Sequence, residues 1–297
     1  MISFNTIKTT ILLAALTGLL VVMGGLLGGT SGMLFGFIIA VVMNFGSYWF
    51  SDRIALKMAR AREVTYQEAP ELHDLVANLA QSAGLPKPKV AIVQSDAPNA
   101  FATGRNAQNG LVAVTTGILR ILDRRELAAV LSHELGHIRN RDILVSAIAA
   151  TFAGAITTLA HIGQFAMIFG GRSDDDERGG LVGALLMIII APIAAMIIQF
   201  AISRSREFGA DRTGAEVGGD PEALASALEK LEAYSKRIPL SVNPAVSHLF
   251  IVKPLTGISM QNLFSSHPPT QERVARLRQM AREHQLNMGS TFGRVRA

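Results

Sequence analysis

The chain of 297 residues has no cysteine, which excludes a disulfide framework and any thiolate metal site. A bound metal would have to be held by histidine, aspartate or glutamate. Charge is also scarce. Charged residues make up 17% of the chain and hydrophobic residues 49%, whereas a soluble domain carries nearer a quarter charged residues. The mean hydropathy is +0.32. These values predict a membrane protein. Aromatic residues are only 6%, and the basic residues flank apolar runs instead of clustering with aromatics. The net charge of +5 therefore fits membrane topology and not nucleic-acid binding. No internal repeat or low-complexity tract is present.

Long apolar runs are abundant. Thr9–Gly29 and Met33–Phe50 each have the length of a bilayer-spanning helix. The second ends in Tyr48, Trp49 and Phe50, as an interfacial aromatic belt would. Arg53, Lys57, Arg60 and Arg62 follow. The positive-inside rule then predicts a hairpin over residues 1–50 with both ends cytoplasmic. Two further runs, Ile143–Gly171 and Leu181–Ser203, flank the acidic link Gly170–Gly180, which is predicted to lie outside. Arg204 and Arg206 return the chain to the basic side. About four transmembrane helices are expected.

Between these runs the text is polar enough to be soluble. Pro70 opens a helix that stops near Gly84. Lys89–Val93 and Leu111–Gly117 read as short strands, with Asn99–Gly104 as a third between them. Asp123 and Glu126 form a capping-box pattern ahead of a helix reaching about Asn140. Asp220 and Pro221 start one C-terminal helix, and Thr270 starts another. Residues 51–142 and 204–297 thus form two parts of one cytoplasmic catalytic domain, with the pair of spans 143–203 inserted between them.

The chemistry is concentrated in three motifs. In "HELGH", His133 and His137 stand four apart, so both imidazoles share one helix face and reach one metal ion. Glu134 is placed to take a proton from water at that metal rather than to bind it. Gly136 lets another backbone pack close. The position where a third histidine would stand in one common arrangement is Ile143, so the third ligand should be a carboxylate from another helix. "SREFGAD" offers Glu207 as that ligand, and Asp211 as an acceptor for the free ring N–H of a ligand histidine. Gly209 and Ala210 are small enough for close helix approach. "SSHPPTQER" brings His267 and Arg273, either of which could stabilise negative charge on a carbonyl oxygen. His161, inside the third apolar run, lies too far from His137 on a continuous helix to bind the same metal, and reads as a packing residue.

Together these motifs resemble the HtpX-type membrane zinc metalloproteases of the gluzincin group, and the resemblance covers almost the whole chain. It implies a mainly α membrane protein with a zincin-like α+β domain built around a small β-sheet. It implies one Zn²⁺ per subunit held by His133, His137 and Glu207, with Glu134 as general base. Asp211 would stand behind the ligands, with His267 and Arg273 at the oxyanion. It also implies a multi-pass protein of the bacterial cytoplasmic membrane that degrades misfolded or damaged membrane proteins from the cytoplasmic side. Residues Asn99, Ala100, Phe101 and Ala102 look like an edge strand to which an extended substrate adds. Two alternatives stand beside this reading: a processing enzyme like the CAAX prenyl proteases, and a membrane adaptor that binds clients without cutting them. An intact Glu134 separates the adaptor from the enzymes.

Overall fold

The first described element, α1 (Phe4–Trp49), is helical along its length but not straight. Asn44 Nδ2 donates to Thr17 Oγ1 at 2.9 Å across 27 residues, which a straight helix would hold about 40 Å apart. The chain doubles back at Gly29, whose φ of +59° glycine alone adopts readily. A Cβ on Gly24 would overlap the carbonyl oxygen of Gly32, so small residues let the two legs touch. Among the described residues, Gly29–Gly46 is the one window long and apolar enough to cross a membrane, and Leu13–Val22 is a shorter apolar helix. Leu34, Phe35, Val42 and Phe45 point outward from that window. An apolar face of this extent requires a non-aqueous neighbour.

The structure is a computed structural model that describes residues 4–145, 148, 204–237, 251 and 268–293. Of the two expected spans at 143–203, only residues 143–145 and 148 are among these. His161 and His267 lie outside the described residues.

Helix α2 (Ser51–Ala59) follows at once. It buries Ala55 and Ala59 and exposes Arg53 and Lys57. Strand β1 (Ala61–Glu63) leads to α3 (Pro70–Ser82), then β2 (Lys89–Val93), β3 (Ala100–Thr103) and β4 (Leu111–Thr115). The four strands form one mixed sheet in the order β1-β2-β4-β3. β2 and β4 run parallel, and β1 and β3 are antiparallel to their neighbours. The strand expected over Leu111–Gly117 stops at Thr115. There Thr115 Oγ1 accepts a hydrogen bond from the Ile118 amide at 3.1 Å and opens a short helix, α4 (Thr116–Ile121).

Helix α5 (Arg124–Arg139) carries "HELGH" through the middle of the domain. Its capping box is complete: the Asp123 carboxylate accepts from the Glu126 amide at 2.8 Å and Glu126 Oε2 from the Asp123 amide at 3.1 Å. Glu126 also accepts from Ser226 Oγ and Lys230 Nζ, each at 2.7 Å, which ties the start of α5 to a later helix. Among the described residues three helices follow: α6 (Arg204–Gly218), α7 (Pro221–Ser235) and α8 (Thr270–Gly293). Val76 of α3, Val90 and Val112 of the sheet, Leu131 and Leu135 of α5, Leu224 of α7 and Leu277 of α8 meet in one core. Each such side chain contributes about 1.5–3 kcal/mol on burial, enough to fix α5 between the sheet and the later helices.

Candidate metal centre

The centre forms where α5 and α6 cross. Gly214 makes the close crossing possible: a Cβ there would lie 2.8 Å from the His133 nitrogen and 2.9 Å from its Cα. Gly136 opposes Ala210, where a Cβ would meet the carbonyl oxygen at 3.1 Å. Gly209, expected to serve this purpose, has only Asn140 nearby, at 3.8 Å. Gly214, one turn further along α6, takes that part.

His133, His137 and Glu207 converge, with one possible ligand atom from each lying within 4.8 Å of the others. His133 Nε2 is 3.8 Å from Glu207 Oε2, and His137 Nε2 is 3.6 Å from Glu207 Oε1. A tetrahedral ion with bonds of about 2.1 Å would set its ligand atoms about 3.4 Å apart, so only small closure is needed. The two rings stand edge to face, 4.8 Å apart at 86°.

The other ring nitrogens are committed elsewhere. His133 Nδ1 donates to Asp211 Oδ1 at 2.9 Å, and His137 Nδ1 to Asp142 Oδ2 at 3.2 Å. Each carboxylate accepts from an Nδ1–H, so in the neutral ring the lone pair is on Nε2, which faces Glu207. The donor set therefore fits a divalent metal: two imidazole lone pairs and one carboxylate, all aimed at one point.

Asp142 had no role in the sequence reading. Helix α5 ends at Arg139, and Arg141 takes a left-handed φ of +61°. This turn swings Asp142 back onto His137. The link from the histidine helix towards the third apolar run is thus broken by a tight turn.

Arg273 also differs from expectation. It is 2% exposed and approaches from α8, with Nη2 3.4 Å from both ring nitrogens of His133. Its Nε and Nη2 donate to Asp211 at 2.9 and 2.6 Å, and its Nη1 lies 3.5 Å from Glu207 Oε2. Two of its nitrogens are thus committed to Asp211. It holds Asp211 and offsets the negative charge around the centre.

Electrostatics follow from burial. Burial lowers His133, and the Arg273 charge lowers it further, to about 4, although Asp211 opposes this. Burial also disfavours charge on His137. There the Asp142 hydrogen bond and the Glu207 and Glu134 charges prevail and raise it to about 9. Glu134 is pushed up to about 7, first by burial and then by Glu207, with His137 opposing. The amide of Ala102 hydrogen-bonds to Glu134, which links β3 to this carboxylate.

Among the described residues β3 is an edge strand of the sheet, and Asn99, Ala100, Phe101 and Ala102 are all buried beside α5. Asn99 and Phe101 are in register with Thr115 and Ala113 of β4. Ala100 and Ala102 turn their backbone groups outward. The Ala100 carbonyl accepts from the Ile251 amide at 3.1 Å, and the Ala100 amide bonds Asn99 Oδ1 at 3.1 Å.

An α-helical domain on a small mixed sheet, with two histidines and a glutamate facing one another beside a buried glutamate, defines a metal-dependent peptidase. Comparison with known proteins makes this specific. Residues 66–281 match Peptidase family M48. A protease HtpX homolog of Persephonella marina is 56% identical over 282 residues, spanning 94% of this chain and 98% of the relative. One of Thermococcus sibiricus is 53% identical over 290 residues, spanning 96% and 98%. The crystal structure of S. mikatae Ste24p matches with a TM-score of 0.50 at 19% identity, over 92% of this chain and 65% of that one; that likeness concerns the fold. The chain belongs to Peptidase family M48 and is a metalloprotease.

Proposed function

We propose that the chain is a zinc-dependent endopeptidase of the cell membrane. It would cut misfolded or damaged membrane proteins on the cytoplasmic side. The observation that carries the reading is the pair of Nδ1-anchored imidazoles whose Nε2 atoms face Glu207 beside the buried Glu134. His133, His137 and Glu207 would hold one Zn²⁺, the ion such a nitrogen and oxygen donor set favours. When bound, the metal supplies a Lewis acid that polarises water and the scissile carbonyl.

The chain's own groups do the rest. Glu134, lifted by burial to about 7, is tuned to accept a proton from water near neutral pH and return it to the leaving amine. Asp211 and Asp142 keep both imidazoles oriented. Arg273 holds Asp211 in place. His267 remains the proposed donor to the carbonyl oxygen. The β3 edge at Asn99–Ala102 takes an extended substrate by backbone hydrogen bonds, which read little sequence.

The full chain in detergent with zinc should cleave casein. Glu134→Gln should lower the rate by about 10²–10⁴-fold and keep the metal; normal cutting by this variant would overturn the mechanism. Glu207→Ala should lose metal, and an unchanged stoichiometry would remove it from the ligand set. A reporter placed between Ser173 and Glu177 should read as external and one at Ala297 as cytoplasmic; the reverse would overturn the proposed side.

A further inference from the structure

We propose that a cavity between the end of the α1 hairpin and the sheet binds the phosphate headgroup of an anionic membrane lipid. The proposal rests on the reading that Gly29–Gly46 crosses a bilayer. The cavity has a volume of about 690 Å³ and includes Trp49, Phe50, Arg53, Lys89, Arg105 and Asn109 in its wall. None of these residues belongs to the metal centre.

The Arg105 guanidinium lies 4.5 Å from the centre of the Trp49 ring. It donates to the Trp49 carbonyl at 3.5 Å and to Asn109 Oδ1 at 3.4 Å. Arg53 lies 5.8 Å from the centre of the Phe50 ring. Among the described residues, neither guanidinium pairs with a carboxylate. Lys89 is engaged with Glu63 at 3.0 Å, and Asp52 is the other acid in the wall. Three cations against two carboxylates leave one positive charge, and it falls on the arginine side.

Two arginines set against aromatic rings, with planar donor forks unmatched by acid among the described residues, suit a phosphate oxyanion. A soluble phosphate would use the same chemistry. Position favours the lipid. Trp49 and Phe50 lie three and four residues beyond the end of the Gly29–Gly46 window, at the depth where interfacial aromatics meet headgroups. Both side chains are exposed, and basic groups beside a span attract anionic lipid.

Trp49 is the chain's one tryptophan, so its emission reports on this cavity. The test titrates the full chain in an uncharged detergent with three probes: a short-chain phosphatidylglycerol, the matching phosphatidylcholine, and inorganic phosphate. Phosphatidylglycerol should give a saturable change, with the other two at least about tenfold weaker. Arg105→Gln and Arg53→Gln should each weaken the phosphatidylglycerol response by about tenfold, the loss expected for a charge-assisted bidentate contact. Lys57→Gln, on the exposed side of α2, should leave it unchanged. Casein cleavage by the arginine variants at the wild-type rate verifies their folding.

An equal response to phosphatidylcholine would overturn the anion selectivity. Saturation by inorganic phosphate at the same concentration would overturn the lipid assignment. Arginine variants that match the wild type would overturn the site. Carbonate washing of membranes tests the span separately: Arg105→Gln should remain embedded, and release of the unaltered chain would defeat the membrane reading itself.

Discussion

Replacing Asp211 with alanine probes the strut behind the metal centre. Burial alone would raise the Asp211 carboxyl. The Arg273 charge and the His133 hydrogen bond instead hold it at about 2, below the ordinary 3.8. That difference is worth about 2 kcal/mol of stability. Because the folded value is depressed, the contribution is present above about pH 4 and is lost as pH falls through about 2. Deleting the carboxylate does more than forfeit this term. It leaves Arg273, 2% exposed, with Glu207 as its nearest acid at 3.5 Å. Removing one partner of a buried ion pair costs about 3–5 kcal/mol. The larger figure should prevail, since a guanidinium cannot shed its proton. His133 also loses the acceptor for Nδ1, so metal affinity should fall about 10–100-fold. Thermal unfolding of the full chain in detergent, with metal and after chelation, gives the first quantity, and metal retention against a graded chelator gives the second. A double variant, Asp211→Leu with Arg273→Met, should be more stable than Asp211→Ala, because it strands no charge. If Asp211→Ala unfolds at the wild-type temperature and keeps its metal at the wild-type chelator concentration, the ion-pair reasoning fails.

Two further predictions concern the histidine helix. In the metal-free protein His137 keeps its proton up to about pH 9, and metal must displace it. Affinity should therefore rise with pH and level off near 9. Asp142→Asn removes the hydrogen bond that most favours the charged ring, so the plateau should begin at lower pH; a calorimetric titration that finds it unmoved would refute the role of Asp142. Gly214→Val places atoms against the His133 backbone, where even a Cβ comes within 2.8 Å. It should cost about 1–3 kcal/mol and weaken metal retention, and a variant with wild-type unfolding and metal content would show that α5 and α6 need not cross so tightly.

Much of the centre was legible in the sequence because its signals are local. The spacing of His133 and His137, the capping pair Asp123 and Glu126, and the helix start at Asp220–Pro221 each lie within one or two turns. The hydrogen bond from His137 to Asp142 was not legible, because it depends on a left-handed arginine at 141, a conformation that residue seldom adopts. An aspartate five residues past a ligand histidine was the available clue. The Arg273–Asp211 pair joins residues 62 apart, and no local pattern encodes it. The first two residues of α4, Thr116 and Gly117, were read as strand because "LVAVTTG" is β-rich; the hydroxyl of Thr115 capping Ile118 decides the switch. The glycine at 214 was missed because its value lies in what faces it.

The outward backbone groups of β3 have a consequence for turnover. The Ala100 amide is bonded by Asn99, the Ala100 carbonyl by Ile251, and the Ala102 amide by Glu134. A peptide strand laid on this edge therefore trades existing hydrogen bonds for new ones, with little net gain per bond. Such an edge does not invite stray chains to pair with it. A substrate held this way would be released as readily as it is accepted. If substrate adds to this edge as proposed, the trade at Ala102 would also withdraw a donor from Glu134, so arrival of substrate and liberation of the base would become one event.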